Sequence, residues 1–73
     1  MSPALPRGLS GAQVAKALDR DGFKHISTRG SHAKYRKGER TVIVPLHPEL
    51  APGILRAILR QAEWDVDALL GNL

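Results

Sequence analysis

Seventy-three residues without a cysteine exclude disulfide staples, Cys-based zinc sites and iron–sulfur clusters. They leave room for one small domain whose core is marginal at this size. Eleven Lys and Arg against seven Asp and Glu give a formal net charge of +4, which points to polyanionic partners, nucleic acid before an acidic protein.

Met1 to Leu9 holds two prolines and no apolar period, and reads as a flexible lead-in (1–9) to a single domain over 10–73. It lacks the charged-then-apolar order of a secretion signal, and no apolar run approaches the roughly 20 residues of a membrane span. A cytoplasmic location with no membrane partner is therefore expected. Ser10-Gly11-Ala12-Gln13 has capping-box spacing, and the helix it opens turns Val14, Ala15 and Leu18 to one side. Gly22 suits a left-handed C-terminal position, so this helix should end near Asp21.

Phe23 to Thr28 reads as a first strand, but Phe23 and Ile26 cannot share a face without a bend or bulge between them. Gly30-Ser31 is a turn signal, and His32 to Arg36 forms a second strand. Lys37-Gly38-Glu39 is a short hairpin connection, followed by a β-branched third strand from Arg40 to Val44. Such tight turns make an antiparallel three-stranded meander. A proline-marked loop, Pro45 to Ala51, leads to Pro52, which suits the first turn of a helix reaching Gln61 or Ala62. Its apolar stripe is Ile54, Leu55, Ile58, Leu59 and Ala62. Asp65 caps a short last helix expected to turn Val66, Leu69 and Leu70 inward.

The fold class is α+β. Two amphipathic helices need one apolar surface, so both cover the same sheet face and leave the other open. On the second strand, period two then sends Ala33 and Tyr35 inward and His32, Lys34 and Arg36 outward. Lys24, Arg29, Lys34, Arg36, Lys37 and Arg40 concentrate the positive charge in this part of the chain, opposed there only by Glu39.

Of three histidines, His32 has the strongest context. It follows a Gly-Ser turn that allows close approach, and it shares a face with cations that bind phosphate and favour the neutral, proton-accepting imidazole. His47 in the loop either caps the next helix or touches solvent, and His25 has no supporting context. The three lack the spacing of a preformed metal site. Asp19, Asp21, Asp65 and Asp67 sit at helix ends, where capping explains them. No phosphate-binding glycine loop is present, and single Trp64 and Tyr35 residues do not make a base-stacking platform.

Gly22-Phe23, Gly30-Ser31-His32, Val44-Pro45-Leu46-His47-Pro48 and the run Gly53 to Ala62 together resemble HicA-type toxins, bacterial mRNA interferases of type II toxin–antitoxin pairs. The likeness extends from about Val14 to Leu70. Ala33 and Ile54 depart from it, at positions often held by a His or bulky residue and by a Thr. The resemblance implies a double-stranded-RNA-binding-domain-like α-β-β-β-α fold, an endoribonuclease activity on mRNA, and a HicB-type antitoxin. The family's essential histidine after Gly-Ser falls on His32. Metal-free RNA cleavage needs a base for the 2′-hydroxyl, a cation for the phosphate and a proton for the departing 5′-oxygen. His32 is the candidate for proton transfer, with no cofactor or metal. RNA contacts are expected at Arg29, Gly30, Ser31, Lys34, Arg36 and Lys37. The leaving-group acid stays open between His47 and a lysine. A non-catalytic RNA-binding module using the same face is the alternative, and an interaction domain with a merely solvated basic strand is a third.

Overall fold

The computed structural model of the chain describes residues 3–73. Helix α1 (Gly11–Arg20) is followed by strands β1 (Lys24–Arg29), β2 (His32–Lys37) and β3 (Arg40–Pro45), then by helices α2 (Pro52–Ala62) and α3 (Val66–Asn72). The strands form one antiparallel sheet in the order β1-β2-β3. This is the α+β arrangement expected from the sequence.

Local chemistry accounts for each boundary. Ser10 Oγ accepts the Gln13 N–H at 3.1 Å while Gln13 Oε1 accepts the Ser10 N–H at 2.8 Å, a complete capping box. Gly22, at φ 99°, takes the chain out of α1. Both strand connections are two-residue turns that place a glycine with positive φ first, Gly30 at 57° and Gly38 at 61°. The anticipated irregularity in β1 is a register shift between His25 and Ser27 that makes Ile26 the unpaired residue, 52% exposed. Phe23 lies just before the strand and is buried. Asp65 Oδ1 accepts the Ala68 N–H at 2.8 Å and opens α3.

The helices and the inner sheet face enclose one core of Val14, Leu18, Phe23, Val42, Val44, Leu55, Ile58 and Leu69. α2 packs on β3 and also closes its edge. The Ile43 N–H donates to Gln61 Oε1 at 2.9 Å, and Arg40 Nη1 donates to the Ala62 carbonyl at 3.3 Å. Two expectations need correcting. Ile54 does not join the stripe of α2, because in the first turn it faces away from β3 and stays exposed. Leu70 likewise points outward from α3, whose inward contact falls on Leu69 with Val66 half-buried. The segment 3–9 contains no helix or strand, and its Leu5 and Leu9 pack against the core.

Asp21 also departs from a simple helix-end role. It sits at the C-cap of α1, the negative end of the helix dipole. There its carboxylate accepts the Trp64 indole N–H at 2.9 Å and lies 3.4 Å from Lys37 Nζ. Lys37 also donates to the Asp21 carbonyl at 2.6 Å. Trp64 itself is buried edge-on against Phe23. The indole hydrogen bond, reinforced by Lys37, holds the Asp21 carboxyl below its ordinary value of 3.8, against the opposing effect of burial. Because the folded pKa is the lower one, this stabilisation is fully present above the ordinary value and fades as pH falls through the depressed one. Asp21→Ala is expected to destabilise the domain by about 1–2 kcal/mol at pH 7, the modest figure reflecting partial exposure. Urea unfolding at pH 7 and near pH 2 checks this, since the gap between variant and wild type should shrink at the lower pH.

Candidate functional site

No polar or charged side chain is buried among the described residues, so the groups capable of chemistry stand on the surface. The open sheet face collects them in rows. Residues directly opposite one another across the strands share a face, and the register aligns Arg29 with His32 and Pro45, Ser27 with Lys34 and Ile43, and Lys24 with Arg36 and Thr41. Lys24, Arg29, His32, Lys34 and Arg36 are all exposed, while Ala33, one step along β2, is buried on the other side. Among the described residues, none of Lys24, Arg29, Lys34 and Arg36 is paired with a carboxylate. The face therefore carries four unneutralised cations, with one imidazole at its end.

His32 is the first residue of β2, immediately after the Gly30-Ser31 turn. A Cβ at Gly30 would meet nothing within 4 Å, so this glycine serves the positive φ of the turn rather than a tight contact. It leaves the rim beside His32 uncrowded. Lys34 follows two residues along the same face, roughly 7 Å away at strand spacing. Arg36 lies about twice that distance from His32, and its Nε donates to the Gly38 carbonyl at 2.9 Å, which turns it toward the β2–β3 connection. Lys37 is not part of this surface. Period two places it on the helix side, where it holds Asp21 and lies 5.9 Å from the Phe23 ring centre.

The structure adds His47 to the cluster. Its ring centre is 6.3 Å from that of His32, with the planes at 75°. The loop that carries it is tied at three points. The Leu46 N–H donates to the Ser31 carbonyl at 2.6 Å, extending the β2–β3 ladder past Pro45. The Gly11 N–H donates to the His47 carbonyl at 2.9 Å, and the Leu50 N–H to the Leu9 carbonyl at 2.8 Å. Its side chain is exposed and caps no helix; the N-cap of α2 is Ala51, without a side-chain bond. His25 is excluded from the cluster because it pairs with Tyr35 and so faces the helices, with its Nε2 2.7 Å from Thr28 Oγ1. Among the described residues no three His, Asp or Glu side chains gather in a metal-binding group, and no helix is long and apolar enough to cross a membrane.

A family model described as the HicA toxin of bacterial toxin–antitoxin systems matches residues 11–64. The chain belongs to the HicA toxin family. No curated protein matches it. The matched span takes in α1, the whole sheet, the His47 loop and α2, leaving α3 outside. As a HicA-family protein it is a toxin of a toxin–antitoxin pair, which makes an antitoxin its expected partner. The helix, meander and helix of the matched span agree with the HicA fold implied by the sequence resemblance.

Proposed function

We infer that this HicA-family toxin is a metal-independent endoribonuclease that cuts mRNA on the open sheet face, with His32 transferring a proton, and that a HicB-type antitoxin restrains it. The observation that carries this reading is the exposed imidazole of His32 at the end of an uncompensated cationic face. RNA supplies its own nucleophile, the 2′-hydroxyl beside each phosphate. Deprotonated by His32, the 2′-oxygen bonds to phosphorus while the bond from phosphorus to the 5′-oxygen breaks. The products are a 2′,3′-cyclic phosphate and a 5′-hydroxyl. Arg29 and Lys34 flank His32 and are suited to hold the phosphate through charge-assisted hydrogen bonds. Lys24 and Arg36, further along the same face, are suited to contact the neighbouring backbone. A partner that covers His32 with acidic side chains would match this surface in charge.

Incubating the purified protein with an unstructured RNA, with and without EDTA, tests the reading. Cleavage that survives chelation, with no cleavage of DNA of the same sequence, is expected. Binding without cleavage would leave a non-catalytic RNA-binding module instead. The phosphate contacts make a separate forecast. Lys34→Ala should weaken RNA binding and make the dependence of log K on log salt shallower by about 0.7, the loss of one single-strand phosphate contact. A filter-binding series over salt reads this directly.

A further inference from the structure

We propose that His47 is the second catalytic residue of this site, the general acid that protonates the 5′-oxygen as it leaves. The inference rests on the nuclease reading above and deepens it by supplying the proton donor that reading lacks.

Two imidazoles fifteen positions apart in sequence stand with ring centres 6.3 Å apart. In-line displacement sets the attacking and leaving oxygens on opposite sides of phosphorus. A base and an acid must each come within about 2.6–3.2 Å of its own oxygen. Two rings at this separation can bridge one phosphate, one addressing each oxygen, and a single ring cannot reach both sides at once.

The placement is also held rather than incidental. Ser31, just before His32, accepts a hydrogen bond from Leu46, just before His47. The two catalytic positions are thus coupled through one backbone link. The N-terminus of α1 then fixes the carbonyl of His47 itself through the Gly11 N–H, and Pro45 and Pro48 restrict the backbone on either side. Such anchoring is what a positioned proton donor requires. The edge-on contact between two exposed rings adds little to stability. Of the donors on this rim, an imidazole both gives and takes protons near neutral pH, whereas a surface ammonium or guanidinium keeps its own.

Electrons and protons balance across the pair. His32 accepts the 2′-hydroxyl proton, the 2′-oxygen forms its bond to phosphorus, and the 5′-oxygen departs with the old bonding pair. His47 then hands that oxygen a proton. The two rings end in each other's starting protonation states and exchange with water before the next turnover.

The test uses two RNA substrates, an ordinary one and one whose scissile 5′-oxygen is replaced by sulfur. A thiolate departs without needing a proton, so removal of the acid should matter only for the ordinary substrate. On ordinary RNA, His47→Ala and His47→Gln should lower kcat by roughly 10²-fold or more, with RNA affinity within a few-fold of wild type. On the sulfur substrate both variants should match wild type, while His32→Ala stays slow. The backbone carbonyl that holds Gly11 is retained in both variants, and thermal melting should confirm an unchanged fold. An undiminished rate on ordinary RNA, or the same deficit on both substrates, overturns the assignment of His47. Rescue of His32→Ala by sulfur would reverse the roles and overturn it too. Wild-type protein that cuts neither substrate would instead overturn the nuclease reading and this inference with it.

Discussion

His32→Ala should all but abolish RNA cleavage and end growth arrest while leaving the domain folded. A positioned acid or base contributes roughly 10²- to 10⁴-fold to rate, and the residual rate of the variant should fall by a factor in that range. Two features separate this from a folding defect. His32 is exposed, and its loss removes no contact with the core. It also lies at the end of β2, where its backbone pairing with Arg29 and Pro45 does not depend on the side chain. Exposed substitutions of this kind shift stability by at most about 0.5 kcal/mol, a change of no more than roughly 2–4 °C in Tm for a domain this small. RNA binding should persist, because Arg29 and Lys34 remain. Cleavage assays run beside melting curves and binding titrations check the three statements together. Full nuclease activity in the variant would end the proposal for His32.

The inward and outward assignment of β2 was legible in the sequence because it depends on one local rule. Two amphipathic helices required one covered face, alternation did the rest, and Ala33 is indeed buried between exposed His32 and Lys34. The capping box at Ser10 and the turn glycines were legible for the same reason, since each acts within three or four residues. What escaped was set by distant partners. Lys37 looked like one more cation in a basic run, and only the Asp21–Trp64 arrangement, with partners up to 43 residues apart, explains why it belongs to the scaffold. Leu70 and Ile54 have apolar side chains at plausible helical spacing, but the short α3 and the first turn of α2 present them away from the core. In the sequence His47 is a loop residue and one candidate for the leaving-group acid, with nothing local to place it beside His32. The signal that would have linked it to His32 was the hairpin register. A two-residue turn at Gly38-Glu39 pairs Lys37 with Arg40 and, five steps back, His32 with Pro45, which brings the loop beyond Pro45 alongside His32.

Gly11→Ala should destabilise the domain and disturb the site, against the sign that helix propensity predicts. Gly11 opens α1, and alanine there would ordinarily help, by up to about 1 kcal/mol in a helix interior. Here the residue is buried against the end of β3. An added Cβ would run into the carbonyl oxygen of Pro45 and come within 2.8 Å of the Leu46 Cα. Both obstacles are backbone, so no side-chain rotamer relieves them. The helix and the loop must separate, which weakens the hydrogen bond from the Gly11 N–H to the His47 carbonyl. Overpacking of this kind typically destabilises by about 1–3 kcal/mol, which corresponds to a drop of roughly 5–20 °C in Tm at this chain length. Ala12→Gly is the matched control. Ala12 is exposed one position along the same helix, so its replacement should lose at most about 1 kcal/mol through propensity alone. Because the clash lies under the loop that bears His47, cleavage by Gly11→Ala should fall even at temperatures where the variant remains folded. A Tm at or above wild type would mean that the approach of α1 to the Pro45–Leu46 backbone is not the constraint described, and that the position of His47 is not set by the helix.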